Sequence, residues 1–369
     1  MKITLKKQER IKLINIVRNE KSWIESNAVE QLKKYEKLDG MIRITGLPDL
    51  HAGRVPVGAA FVTEKKIYPY LTGSDIGCGI ALFDTKVKMK KFKRENFIRD
   101  LNRVKHMEDI AADLSEYEFP YMEKLGTIGS GNHFAEFQKI EKIYLKDEFE
   151  KSGINKDNLM LLVHSGSRIY GQIILEKYQE KYGMLPLEED SAEFDEYMKK
   201  HDDAVAYAKA NRKIIAEKLL RITGKEKPDL ILDSAHNMIT EKKEKDSQIY
   251  IHRKGAAPSD AGMVVIAGTR DSLSYIVKPK ENLSEYCYSV SHGAGRKWTR
   301  EGSKDRMLKI HGKNKIIQMN KNLIYSDRKV LFEESREAYK NIERVIQDLV
   351  SHDMIEIVAS LKPLITFKR

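Results

Sequence analysis

Only two of the 369 residues are cysteine, Cys78 and Cys287. Two distant thiols build no disulfide framework, so a reducing, cytoplasmic location is expected. No stretch approaches the ~20 apolar residues of a membrane span, and no membrane partner is expected. Met1 to Arg10 mixes charge and apolar positions too closely for a secretory signal. Repeats, low-complexity tracts and Pro/Ser linkers are absent, which favours a single domain over residues 1–369. No C-x-x-C pair or H-E-x-x-H helix occurs either, so any metal site must be assembled from distant segments.

What the chain does have is charge. Lysine and arginine number 66 against 55 acids, a formal +11, in a chain 41% hydrophobic and 33% charged. That excess attracts polyanions in a salt-dependent way. Charge alone fits a nucleic-acid partner and a coat of solvated lysines equally well.

Residues 3–39 read as mostly helical, with Ile11, Leu13, Ile14, Ile16 and Val17 at helical spacing. A strand from Ile42 then enters a Pro/Gly-punctuated loop carrying Asp49 and His51, and Val55 to Thr63 reads as another strand. Helices are expected between Glu95 and Glu116, from about Ser191 to Ile222, and from Glu334 to Leu349. Apolar strands are expected at 159–163, 229–235 and 263–267. The class is α+β: mixed β-sheets flanked by helices, with a metal site in a basic cleft.

The densest chemistry lies in Leu71 to Ile80, where Asp75 and Cys78 stand among Gly73, Gly77 and Gly79. Glycine lets the backbone approach a ligand closely, so one turn can aim a carboxylate and a thiolate at one point. A structural turn around a buried thiol is the plainer alternative. Four histidines, His133, His164, His236 and His292, end apolar strands or stand in glycine-rich loops. Strand ends converge in sheets, and imidazole and thiolate both ligate divalent transition metals. Ligand softness alone points to zinc. His106, His201, His311 and His352 lie in helical or charged surroundings and read as surface residues. Arg168, Arg253, Lys254 and Arg296 each end or adjoin a run of small residues, a composition that suits phosphate. Any one of them alone reads as a solvated basic turn.

Six blocks in order resemble the RtcB-type RNA-splicing ligases: Asp75-Ile-Gly-Cys-Gly79, Gly131-Asn-His133, His164-Ser-Gly-Ser-Arg168, Ala235-His-Asn237, His252-Arg-Lys-Gly-Ala256 and Ser291-His-Gly-Ala-Gly-Arg296. The resemblance implies joining of RNA 3′-phosphate or 2′,3′-cyclic phosphate ends to 5′-hydroxyl ends with GTP. It implies two manganese ions in place of zinc. Cys78 would bridge them, with Asp75 and His133 on one ion and His164 and His236 on the other. His292 would carry GMP covalently. Asn132, His133, Phe134, Ala135, Glu136, His236, Asn237, Ala267, Gly268, Thr269, Arg270, Ser274, Gly293, Ala294, Gly295 and Lys368 would bind the guanylate. Ala267-Gly-Thr-Arg270 stands where the family usually has Pro-Gly-Ser-Met. Arg270 is therefore expected to bond phosphate or carbonyl oxygens and to weaken discrimination of GTP from ATP. A metal-dependent phosphohydrolase and a non-catalytic RNA-binding protein remain the alternatives, and no activating protein partner is named by the residues.

Overall fold

Two large sheets organise the computed structural model, which describes residues 13–225 and 227–369. The first has five strands in the order Ile14–Ile16, Met41–His51, Val57–Glu64, Ser247–Lys254 and Asn237–Glu244. The second runs Val264–Ile266, Ser274–Pro279, Ile355–Lys368, Phe134–Ile143, Asn158–Ser165, Gly79–Lys88 and Asp229–Ala235, with Leu323–Tyr325 paired beside Ile355–Lys368. Pairing is antiparallel except where Ile14–Ile16 meets Met41–His51 and Leu323–Tyr325 meets Ile355–Lys368.

The second sheet is buried on both faces at its centre. Asn158–Ser165 is buried at every position, as its unbroken apolar run requires. One face packs Phe83, Phe137 and Leu161 against Ile215, Ala216 and Leu219 of the long helix Ala192–Ile222. Ser191 caps that helix by accepting from the Phe194 N–H, and Glu193 and Asp195 complement its first turn. Arg212 of the same helix is fully buried. Its guanidinium bonds Asp233 and donates to the carbonyls of Gly77 and Ser165, both at 2.8 Å. Removing one partner would strand a buried charge, at about 3–5 kcal/mol.

Several expectations need correction. Ile14–Ile16 is a strand, because docking beside Met41–His51 outweighs the helical spacing; the helix there is Ser26–Tyr35. The part of that expectation covering residues 3–12 lies outside the described residues. The helix expected from Glu334 begins only at Ile342, where Asn341 caps it. Residues 334–339 are held outside it by side-chain bonds to Arg296. His201 is buried: its helix packs on the strand Asn237–Glu244, and Nε2 accepts the Ile239 N–H at 2.9 Å. Beyond the helix that begins at Ile342 the chain ends in one long strand, Ile355–Lys368.

Candidate active site

Register alone assembles the first group. The strands Phe134–Ile143, Asn158–Ser165, Gly79–Lys88 and Asp229–Ala235 are consecutive neighbours in the sheet. Phe134 lies opposite His164, and Gly79 lies opposite both Ser165 and Ala235. His133, His164, Cys78 and His236 therefore emerge at one end of four adjacent strands, about 4.8 Å apart. The Cys78 sulfur is 3.2 Å from His133 Nε2 and 3.4 Å from His164 Nε2, and His164 Nε2 is 3.3 Å from His236 Nε2. Asp75 Oδ2 stands 3.0 Å from His133 Nε2, yet is buried and accepts no hydrogen bond. Its Oδ1 accepts the Arg168 N–H at 2.8 Å.

Electrostatics favour the ligand forms of these groups. Burial depresses the pKa of His133, His164 and His236, which keeps the imidazoles neutral. Burial alone would raise the Asp75 carboxyl, but His133 and Arg168 hold it well below the usual range. Burial pushes the Cys78 thiol up, and Asp75 adds to the effect. A divalent cation reverses that balance, because it binds the thiolate and displaces the proton. Convergent sulfur, imidazole and carboxylate donors, with Asp75 Oδ2 left without a bond, fit a transition-metal centre. Cys78, His133 and His164 place their donor atoms within 4.8 Å of one another.

His292 arrives from a different part of the fold. It follows the strand Ser289–Ser291, which pairs with Ala256–Pro258. Its ring centroid is 4.5 Å from that of His236. Nδ1 stands 2.8 Å from Asp49 Oδ2, and the same oxygen accepts the backbone N–H groups of His292 and Gly293 at 3.2 and 3.4 Å. With Nδ1 buried against Asp49, Nε2 is the ring nitrogen left for the cleft. Asp49 is fully buried. Burial alone would raise its carboxyl, but the His292 imidazole holds it below its ordinary value. Gly295, at φ +72°, makes this approach possible, since a Cβ there would lie 2.2 Å from the Asp49 carbonyl oxygen. Lys340 ties the strand from behind by donating to the carbonyls of Pro48 and Leu50.

Both groups open into one cleft of about 920 Å³. Asn132, Phe134, Glu136, Asn237, Ala267, Gly268, Thr269, Gly293, Ala294, Gly295 and Lys368 line it, as do Arg168, Lys254, Arg270 and Arg296. Burial raises the Glu136 carboxyl to about 7, against bonds from Thr366 and Gln138 that lower it. Burial lowers the Lys368 ammonium to about 8, against the pull of Glu334.

Three expected residues do not reach the cleft surface. Ala135 is packed in the sheet core, and Ser274 sits behind the wall, where its hydroxyl accepts the Gly268 N–H. Arg253 is buried elsewhere, donating to Ser289, Thr240 and the Tyr288 carbonyl. Two others line the cleft but are committed to protein partners. Arg270 donates to the carbonyls of Val330, Leu331 and Glu334, so its main bonds are to backbone of the short helix Val330–Glu333 and the residue after it. Arg296 bonds Glu334, Tyr339 and two carbonyls. The expectation that Arg270 reads the nucleotide thus gives way to a bracing role. Conversely, sequence reasoning assigned no role to Asp49. The available signal was an acid flanked by Leu47, Pro48 and Leu50 in the strand Met41–His51. It also missed Trp298, Thr299 and Arg300 at the cleft mouth.

Comparison with known proteins adds a consistent finding. The family model described as tRNA-splicing ligase RtcB matches residues 31–118 and 100–369. RNA-splicing ligase RtcB2 of Escherichia coli is 39% identical over 357 residues, covering 94% of this chain and 93% of that protein. The tRNA-splicing ligase RtcB of Archaeoglobus fulgidus is 27% identical over 438 aligned positions, covering 92% of this chain and 91% of that one. The tRNA-splicing ligase RtcB of Methanococcus maripaludis is 31% identical over 65% of this chain. No helix among the described residues is long and apolar enough to cross a membrane.

Proposed function

The chain belongs to the RtcB family, and from that premise we propose that it is an RNA ligase acting in tRNA splicing or RNA repair. It joins 3′-phosphate or 2′,3′-cyclic phosphate ends to 5′-hydroxyl ends, using GTP, with residues 1–369 acting as one unit in the cytoplasm. The two free thiols, both buried, accord with that compartment. The observation that carries the reading is the placement of His292, braced by a buried carboxylate, beside the Cys78–His133–His164 cluster in one cleft.

His292 is the nucleophile. Its Nε2 forms a bond to the α-phosphorus of GTP as the bond from that phosphorus to the bridging oxygen breaks, releasing pyrophosphate. The ring gains positive charge, which the Asp49 carboxylate at Nδ1 offsets. Asp75, Cys78, His133, His164 and His236 would hold the two manganese ions that the family implies. Metal bound there supplies positive charge against the phosphoryl oxygens. Asn132, Phe134, Glu136, Asn237, Ala267 to Thr269, Gly293 to Gly295 and Lys368 line the cleft beside His292 and enclose the guanylate. Ala135 and Ser274 support that wall from behind. Lys254 remains for RNA phosphate, and Arg168, which bonds His133 Nδ1 at 2.6 Å, reaches it with its other guanidinium nitrogens.

Mass spectrometry of the intact protein after GTP and manganese tests this. The expected result is one guanylate adduct, acid-labile and absent from His292→Ala, which still binds metal and still seals RNA carrying a pre-formed 3′-guanylylated phosphate. GTP consumed without an adduct on the native protein would identify a phosphohydrolase instead.

A further inference from the structure

More than half of the molecule's excess positive charge lies in one segment that the chemistry above does not use. Residues 297–321 carry eight lysines and arginines against two acids, a net +6 out of +11. This segment forms one lip of the cleft, where Trp298, Thr299 and Arg300 line the mouth before the helix Ser303–Met319 leads away. Met307 and Ile316, on either side of a kink at Gly312, are buried against Leu323 and Leu331. Lys304, Arg306, Lys309, Lys313 and Lys315 are thereby left exposed. None of these five pairs with an acid among the described residues. Lys33, Lys151, Lys200 and Lys213 elsewhere on the surface do pair with an acid.

Trp298 stands where this basic slope meets the cleft. It is half-buried, with Lys297 Nζ 5.4 Å and the Arg306 guanidinium 5.5 Å from its ring. An indole between cations at the edge of a groove has the composition of a base-stacking platform. The ring offers a face to any base, and the cations meet the flanking phosphates. An acidic protein would match the charge but would have no use for an aromatic surface opening into the cleft.

Resting on the ligase reading, we propose that this lip is the track by which single-stranded RNA enters the cleft, with one base stacked on Trp298 and the adjoining phosphates on the helix's basic residues. The track lies outside the metal and nucleotide groups, so it governs RNA affinity and leaves the guanylylation step alone.

Tryptophan content makes the test direct. The chain has two tryptophans, and Trp23 is 55% exposed, so Trp23→Phe leaves Trp298 as the sole tryptophan, excited selectively over tyrosine, at little structural cost. A single-stranded oligoribonucleotide ending in a 3′-phosphate should quench that fluorescence. Trp298→Ala should bind the same RNA about tenfold more weakly, and Trp298→Phe should restore most of the loss. A triple variant of exposed residues, Lys304→Glu, Lys309→Glu and Lys313→Glu, should flatten the salt dependence of binding. The guanylate adduct, measured on the native protein, separates the two claims. If the native protein forms none, the ligase reading falls. If it forms the adduct and binds RNA while Trp298 fluorescence stays unmoved and the variants bind as native, the track is overturned.

Discussion

Asp49→Asn removes one charge from a buried pair while keeping the shape of the side chain. In the native site the carboxylate stands 2.8 Å from His292 Nδ1 and accepts two backbone N–H groups. It is fully buried, so solvent supplies no substitute for its charge. Breaking one side of such a pair costs roughly 2–5 kcal/mol. Felt where the imidazole turns cationic, that corresponds to a rate loss of about 30-fold to several thousandfold. The amide oxygen can still accept from the His292 and Gly293 N–H groups, so the loop keeps its place and only the counter-charge is lost. Single-turnover guanylylation with labelled GTP, followed by rapid quench, should slow within that range while metal content is unchanged. Sealing of RNA with a pre-formed 3′-guanylylated phosphate should proceed at the native rate, since that step does not call on His292. A variant that guanylylates at native speed, or fails on pre-activated RNA with its metal bound, refutes this reasoning.

Cys78→Ala removes the sulfur placed between His133 and His164. Manganese should raise the melting temperature of the native protein but not of this variant, whose circular dichroism should match native; normal metal stoichiometry would move the site elsewhere. Arg270→Met leaves the three carbonyls it bonds without that donor, which costs about 1–3 kcal/mol per buried unsatisfied group. Melting should fall with the GTP-over-ATP preference unchanged, and the opposite pattern would put Arg270 on the base. Glu136 has its carboxyl raised from 4.5 to about 7 by burial. The folded state therefore binds a proton that the unfolded state has released, and stability declines as pH rises through that interval. Glu136→Gln should flatten the decline in denaturant midpoints between those two values; an unchanged slope would assign it to another group.

The convergence of Cys78 with the histidines was legible because these residues sit at strand ends. Leu159 to Val163 ends in His164, the strand Asp229–Ala235 runs into His236, and Cys78 precedes Ile80 to Phe83. In a sheet those endings become neighbours once register is set, so the pattern along the chain carries spatial information. Asp49 carried no such mark. Its partner His292 is 243 residues away, and the bond depends on one sheet packing against another, which no local spacing encodes. The strand Ile14–Ile16 was hidden for a related reason: its apolar positions suit a helix equally well, and only its neighbour Met41–His51 decides. Arg296 and Arg253 looked like phosphate ligands because a basic residue beside small ones reads the same whether it faces a ligand or a carbonyl.

Two consecutive residues of the long helix hold the segments that carry the candidate metal ligands. Arg212 bonds the carbonyls of Gly77 and Ser165, next to Cys78 and His164, while Asn211 accepts the N–H groups of Gly126 and Thr127, which begin the loop to His133. Three ligand-bearing segments thus share a single mechanical foundation that is present before any ion arrives. Metal uptake then orders little new backbone and pays little configurational entropy. The Gly126 and Thr127 amides should therefore be protected from hydrogen exchange with or without added manganese.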